Sequence, residues 1–195
     1  MRILFIKNKT SFTVEQGDEL TNAIDLIFPF KNYVIENNFI YFIFDNLIDA
    51  TNLNFNLNDE LYIDCLYFLT RQIDESETQY FIDQVLMLLD NISHGNTQKH
   101  LDNFDLLKHS YCKKMDNKAI KKIIFGPLVN DKALILIIKK YFELNQNSSL
   151  TALSLNYHRN TILYQLKRFA NITDLKVQEF LVGFYLYHFL INYYF

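Results

Sequence analysis

The apolar positions in the first part of the chain follow two different spacings, and together they predict a mixture of strands and helices. Residues 3–7 form a short apolar run of strand length. Residues 18–28 repeat apolar residues at helical spacing, which would place three of them on one side of a helix: Leu20, Ile24 and Ile27. Residues 33–35 and 39–44 are rich in β-branched and aromatic residues, and the short polar break between them predicts a hairpin.

Helical spacing returns twice before residue 93. It predicts a helix over residues 57–73, with Asn58 or Asp59 as the N-cap. The apolar positions of this helix are Leu61, Cys65, Leu66 and Leu69. A further helix is predicted over residues 76–92. The side chains expected to face inward from it are Phe81, Val85 and either Leu88 or Leu89.

Residues 93–117 are polar and include Gly95, which predicts a connecting region between two domains. A short helix through Leu101, Phe104 and Leu107 is the alternative for this segment. From residue 118 the pattern is helical, and the first helix, over residues 118–125, would stop at Gly126-Pro127. The sequence therefore predicts an α+β fold in three parts: a small N-terminal mixed α/β domain over residues 1–92, a connecting region over residues 93–117 and an all-α domain over residues 118–195.

The next helix of the all-α domain is predicted from about residue 131 to residue 144. Asn130 or Asp131 would cap its N-terminus. Its apolar positions make one stripe of four residues: Leu134, Ile135, Ile138 and Phe142. Asn145 follows directly and is suited to a left-handed C-cap.

Residues 145–155 predict the first helix of a helix-turn-helix motif. Ser149 is the expected N-cap of a short helix that runs to about Leu155. Ala152 and Leu155 would face inward, and a small residue such as Ala152 is required where the second helix crosses the first at close range. A brief break is predicted at Asn156-Tyr157.

The second helix of the motif is predicted from Arg159 to about Ala170, with His158 as its cap. Its buried stripe would consist of Ile162, Leu166 and Phe169. Two helices joined by a turn of three to four residues have the spacing of a helix-turn-helix. We therefore interpret the all-α domain as a helix-turn-helix domain.

The start of this second helix carries residues suited to DNA recognition. In a helix-turn-helix this end enters the major groove, where Arg159 would bind guanine or phosphate, Asn160 would bind adenine and Thr161 would contact phosphate or a thymine methyl group. Lys167 and Arg168 would flank the DNA backbone two turns further on. The residues expected at the DNA are Ser149, His158, Arg159, Asn160, Thr161, Tyr164, Lys167 and Arg168. The alternative is that residues 158–161 are only the capped start of an ordinary helix.

The segment also resembles the C-terminal helix-turn-helix of the PucR/CdaR-type regulators, which are bacterial activators of purine and sugar-diacid catabolism. The residues that carry the resemblance are Leu144-Asn145-Gln146-Asn147, Ser149, Thr151-Ala152, Leu155, His158-Arg159-Asn160-Thr161 and Tyr164-Gln165-Leu166. It extends over roughly residues 122–190, because Phe125-Gly126-Pro127-Leu128 and Ile172-Thr173-Asp174-Leu175 are similar to the family's flanking segments. The resemblance implies a bacterial DNA-binding transcriptional regulator.

The chain departs from the family pattern at four positions. Leu163 and Gln165 stand where the family often has Arg, Tyr157 stands in place of a Val, and Asp174 stands in place of a Gly. Because Leu and Gln are both good helix formers, these changes preserve the helix but remove two basic positions. A degenerate motif in a ligand-sensing or protein-interaction protein is therefore the alternative function.

Charge divides the chain in the same place as the helical pattern does. The net charge is −3, but residues 1–117 carry 9 Lys/Arg and 18 Asp/Glu, a net −9, whereas residues 118–195 carry 10 Lys/Arg and 4 Asp/Glu, a net +6. A basic last part favours a polyanionic partner, here double-stranded DNA. Two independently solvated surfaces would give the same division.

The C-terminal run from residue 180 to residue 195 is apolar on all sides. One face would hold Phe180, Phe184, Tyr187, His188 and Ile191. Such a helix is normally buried, which predicts a homodimer, with packing inside the chain as the alternative. The run is too short and too interrupted for a membrane span. The N-terminal domain matches no pattern, and its role is open between binding of a small-molecule effector, dimerisation and a remnant.

Other candidate chemistry is weak. The histidines lack metal-ligand spacing, although three of them lie near Asp102 and Asp105: His94, His100 and His109. Cys65 and Cys112 are far apart, and the N-terminus does not have the pattern of a signal peptide, so a cytoplasmic location is expected. We therefore expect a non-enzyme that uses no cofactor.

Overall fold

The structure is a computed structural model, and the described residues are 1–45, 65–71, 73–90, 92, 100–112 and 117–193. They form two compact units, Met1–Asp102 and Asn103–Phe195. This division falls inside residues 93–117, which the sequence predicts to be a connecting region. The physical reason is α3 (Asn103–Cys112), which buries Leu106 and Leu107 and packs against other helices of the second unit.

The described strands of the first unit form one five-stranded sheet. Their bounds are β1 (Arg2–Asn8), β2 (Asn32–Glu36), β3 (Phe39–Phe44), β4 (Cys65–Leu69) and β5 (His100–Leu101). The order is β2-β3-β1-β4-β5, in which β4 and β5 are parallel and the other neighbours are antiparallel. The strand predicted over residues 3–7 and the hairpin are confirmed. Asn37 makes the hairpin turn with a positive φ of 54°, a conformation that Asn tolerates better than most residues.

The helix predicted over residues 57–73 is wrong for residues 65–69, which form β4. Four consecutive side chains of this strand are buried: Cys65, Leu66, Tyr67 and Phe68. Burial on both sides requires a continuous apolar run, and a run of this length fits a central strand as well as a helix segment. β4 lies between β1 and β5, so both of its edges are paired. Asn58, Asp59 and Leu61 lie outside the described residues.

Helix α1 (Val14–Ile27) begins four residues before the predicted start, because Thr13 and Gln16 form a capping box. The Gln16 amide N–H donates to Thr13 Oγ1 (3.2 Å), and the Thr13 amide N–H donates to Gln16 Oε1 (3.1 Å). Leu20 and Ile24 are buried in a cluster with side chains of β1, β3 and β4. Ile27 lies on the same side of the helix, three positions after Ile24, but half of its side chain is exposed.

Helix α2 (Thr78–Asp90) confirms the predicted helix over residues 76–92. Phe81 and Val85 are buried as expected, and both Leu88 and Leu89 are buried, where the prediction required only one of them. Lys7 of β1 is also buried, and its Nζ donates to the Leu89 carbonyl (2.8 Å) at the end of α2. A lysine at this position satisfies carbonyl groups that have no partner within the helix.

The described residues of the second unit form helices joined by short turns, and they include no strand. Its helices after α3 are α4 (Asn117–Phe125), α5 (Lys132–Glu143), α6 (Ser148–Leu155), α7 (Arg159–Thr173) and α8 (Phe180–Tyr193). A short 3-10 segment, Gly126–Asn130, follows α4, and Gly126 has a positive φ of 50° there. Phe125 contacts Phe169 and Phe189 at centroid distances of 5.7 and 5.9 Å, so α4, α7 and α8 share one aromatic core. The α+β class is confirmed.

Helix α8 buries one side and exposes the other. Val182, Leu186, Phe189 and Leu190 are buried on the inner side. Gly183 is also buried. A side chain does not fit there without a shift of its neighbours, since a Cβ at this position would lie 3.0 Å from both Phe142 Cε1 and Gln146 Nε2. The outer side exposes four large apolar residues: Phe180, Leu181, Phe184 and Ile191. Among the described residues, no helix combines the length and the apolarity that crossing a bilayer requires.

Candidate nucleic-acid interface

Helix α6 begins under an asparagine cap. The Asn147 side chain oxygen accepts from the amides of Ser149 (3.0 Å) and Leu150 (3.1 Å). Ser149 is therefore not the N-cap, and that prediction is wrong. Asn and Ser are both favoured caps, and the helix begins one residue before Ser149 because Asn147 already satisfies the first free amides.

The turn between the two helices depends on a left-handed residue. Asn156 has φ 56° and ψ 38° and closes α6. The Tyr157 amide then donates to the Ala152 carbonyl (2.9 Å), which fixes the direction of the chain as it leaves the helix. Ala152 is 4% exposed, as expected of the small residue near the contact between α6 and α7. The predicted break at Asn156-Tyr157 is confirmed.

Helix α7 begins as the sequence predicts, with His158 as its cap. His158 Nδ1 accepts from the Asn160 amide at 3.2 Å. The buried stripe is confirmed, since three side chains are completely buried: Ile162, Leu166 and Phe169. The helix ends at Thr173 rather than near Ala170, and Asp174 follows with a positive φ of 58°. Asp174 thus adopts the left-handed conformation in place of the family's Gly.

The side of α7 opposite the buried stripe is exposed. Its exposed residues include Arg159, Asn160, Leu163, Tyr164 and Lys167. Arg159 is oriented by the start of α6, because its Nε donates to Ser148 Oγ at 3.3 Å. Thr161 is half-buried, and Ser149 and His158 are exposed beside the first turn of α7. The two basic side chains and Asn160 therefore lie on one accessible surface, which we call the α7 face.

Arg168 joins α7 to α5. Its Nη1 donates to Asp131 Oδ2 (2.8 Å) and to Gln165 Oε1 (3.2 Å). Asp131 is also the cap of α5, because its Oδ1 accepts from the Leu134 amide at 3.0 Å. The same carboxylate therefore fixes the start of one helix and the orientation of another. The sequence offered a cap at Asp131 but no signal for its pairing with a residue 37 positions away.

The surroundings of Asp131 hold its pKa below the ordinary value of 3.8. The largest cause is the hydrogen bond from the Leu134 amide; Arg168 adds to it, and partial burial opposes it. A carboxylate whose pKa is lowered by folding stabilises the folded state fully above its unfolded pKa. That contribution is lost as the pH falls through the folded-state pKa.

We expect Asp131→Asn to lower the free energy of unfolding by up to about 1 kcal/mol at neutral pH, because Asn retains the cap but loses the ion pair with Arg168. Urea denaturation of both proteins at several pH values measures this difference. It should shrink as the pH is lowered below 4, about the ordinary pKa of an aspartate. A difference that is the same at neutral and at acid pH would contradict the ionic origin of the effect.

Helices α6 and α7 cross at a small residue, Ala152, and the first turn of α7 exposes Arg159 and Asn160. This arrangement is that of a helix-turn-helix DNA-binding domain. Residues 134–190 match the family model described as "PucR C-terminal helix-turn-helix domain". This segment of the chain is therefore a PucR-type helix-turn-helix domain, and the protein is a DNA-binding transcriptional regulator. The resemblance seen in the sequence is confirmed.

Comparison with solved structures gives a similarity over the whole chain. The crystal structure of the Regulator of Polyketide Synthase Expression from Bifidobacterium adolescentis aligns with a TM-score of 0.45 and 15% sequence identity. The alignment covers 97% of this chain and 79% of that one. No curated protein matches the sequence.

Proposed function

We propose that this regulator binds its operator through the α7 face, with Arg159 and Asn160 contacting bases in the major groove. The observation that supports this proposal most directly is the exposure of both side chains on the first turn of α7. Arg donates two parallel hydrogen bonds to guanine, and the Asn amide pairs in the same way with adenine. Thr161, which is half-buried, lies within the same turn and contacts the adjacent phosphate.

Phosphate contacts position the helix on the duplex. The N-terminus of α7 is the positive end of its helix dipole, which attracts anions. Ser149 and His158 are exposed beside the first turn of α7 and donate to the DNA backbone, while Lys167 contacts it further along the helix. Tyr164 lies on the same face. Arg168 acts as a positioning residue in this proposal, because its contact with Asp131 holds α7 against α5.

The proposal is tested by fluorescence anisotropy with duplexes from the upstream region of the protein's own coding sequence, at several salt concentrations. Wild-type protein should bind saturably, and its affinity should fall steeply as salt rises. Arg159→Ala should lose about 1–3 kcal/mol of binding free energy and should discriminate less between sequences. Tests on unrelated duplexes of the same length measure that loss of discrimination.

A charge-matched control is Lys9→Ala, because Lys9 is an exposed cation in the first unit. It should leave sequence discrimination unchanged. Equal losses in Lys9→Ala and Arg159→Ala would contradict a specific role for Arg159. Absence of binding by the wild type at low salt would overturn the proposal and favour the alternative, a ligand-sensing or protein-interaction protein with a degenerate motif.

The second part of the proposal is that the regulator acts as a homodimer through the outer side of α8. This helix carries no charged residue, and its outer side exposes Phe180, Leu181, Phe184 and Ile191. Contiguous apolar surface of this kind is typical of protein interfaces. A dimer would also present two α7 faces to paired half-sites.

We expect Phe180→Asp to weaken dimerisation by about tenfold or more, because it places a charge on the apolar surface. The side chain is 78% exposed at the first position of α8, where an acidic residue favours the helix. Val14→Asp is the matched control, since Val14 is 82% exposed at the first position of α1. Sedimentation equilibrium measures the dissociation constants. A monomeric wild type, or equal effects of the two substitutions, would contradict this interface.

The remaining parts of the proposal follow from action on DNA. We place the protein in the bacterial cytoplasm, where it would reach the chromosome. This role requires no catalytic activity. The first unit would then regulate DNA binding, and the role we assign to it is the binding of a small-molecule effector. Its compact sheet, with α1 buried against one side, gives it a core of its own.

A further inference from the structure

The α7 face contains two large apolar side chains between its polar ones. Leu163 is 39% exposed and Tyr164 is 65% exposed. Residues three and four positions apart lie on the same side of a helix. Leu163 follows Asn160 by three positions and precedes Lys167 by four, so it lies at the centre of the surface that the proposed function places in the groove.

Leu163 is exposed in part, whereas the residues of the buried stripe are not. Ile162, Leu166 and Phe169 are completely buried and hold α7 against its neighbours. The Leu163 side chain lies outside this stripe. The exposed part of its apolar surface is therefore available for a contact outside the unit.

Thymine provides the matching chemistry. It presents a methyl group at C5 in the major groove, and an apolar side chain recognises it by direct contact. Asn160 is suited to adenine, and every adenine in a duplex is paired with a thymine. An Asn and a Leu side by side on one helix face therefore suit a stretch of A·T pairs.

From this arrangement we infer that Leu163 is a specificity-determining residue that packs against the 5-methyl group of a thymine in the operator. The inference rests on the proposed function. Leu163 is favoured over Tyr164 for this contact because it lies one helical turn from both Arg159 and Asn160. Tyr164 lies one turn from Asn160 but not from Arg159, and it carries a hydroxyl group that prefers a polar partner.

The test replaces each thymine of the shortest bound duplex with deoxyuridine, which lacks the 5-methyl group and keeps the same pairing. For the wild type, the replacement should lower affinity by about fourfold at one or two positions, as expected for one buried methyl group. Leu163→Ala should bind the unmodified duplex less tightly and should lose the sensitivity at those positions. Tyr164→Ala is the matched control, and its response to deoxyuridine should remain that of the wild type.

The outcomes distinguish a missing contact with the methyl group from a failure of the proposed function. If the wild type binds the duplex but no deoxyuridine replacement weakens binding, the contact with a methyl group is overturned and the proposed function stands. The same holds if Leu163→Ala keeps the full sensitivity, or if Tyr164→Ala alone loses it. If the wild type binds no duplex at all, the proposed function is overturned and this inference with it.

Discussion

Phe169→Ala is expected to lower the free energy of unfolding of the second unit by about 3–5 kcal/mol, a loss typical of a large buried aromatic side chain. The ring is completely buried and contacts Phe125 at a centroid distance of 5.7 Å. Phe125 in turn stacks on Phe189. Removal of the ring would leave a cavity between α7, α4 and α8, and neighbouring side chains fill such cavities only in part.

Urea denaturation followed by far-ultraviolet circular dichroism measures this loss. Tyr164→Ala is the control on the same helix, because it removes an aromatic side chain that is largely exposed, and it should change stability by about 0.5 kcal/mol or less. DNA binding by Phe169→Ala should fall in parallel with the folded fraction of the unit. An equal loss of stability in the two variants would contradict the central position of Phe169.

Ala152→Leu is expected to destabilise the second unit by about 1–3 kcal/mol and to abolish sequence-specific DNA binding. Ala152 is 4% exposed at the contact between α6 and α7, and its carbonyl accepts from Tyr157 in the turn. A larger side chain would force the helices apart and change the angle at which the α7 face is presented. The binding loss should therefore persist at temperatures where the variant is fully folded.

The control for Ala152→Leu is Ser154→Leu, which adds a comparable side chain to an exposed position of the same helix. It should retain wild-type stability within about 0.5 kcal/mol. Thermal unfolding and anisotropy titration measure the two effects separately. Wild-type DNA affinity in a folded Ala152→Leu protein would show that the close approach of α6 and α7 is not required for recognition.

The helix-turn-helix was predictable from the sequence because its determinants are local. His158 caps the residues directly after it, and Ile162, Leu166 and Phe169 repeat within a single helix. A helix pattern of this kind needs no knowledge of the rest of the chain. The error at the N-cap of α6 is of the same local kind, since Asn147 and Ser149 are both favoured caps and only the geometry separates them.

The features that the sequence did not reveal depend on distant partners. The helical prediction fails at β4 because five consecutive apolar residues carry no decisive period. The pairing of β4 with β1 joins residues 57 to 65 positions apart, such as Leu4 and Leu69. The contact of Arg168 with Asp131 is similarly distant in sequence. Which side of α8 is exposed depends on which side the rest of its unit covers. A helix that is apolar on all sides has no sequence pattern that distinguishes the two.

The central position of β1 sets an order for the assembly of the first unit. Both edges of β1 are paired only after β3 and then β4 have been synthesised. Lys7 completes its contacts with a carbonyl 82 residues later. Contacts between positions so far apart make folding slow, whereas helices that pack on their sequence neighbours fold fast. The first unit is therefore expected to fold late on the ribosome, after α2 has emerged. The second unit is expected to fold soon after its own synthesis.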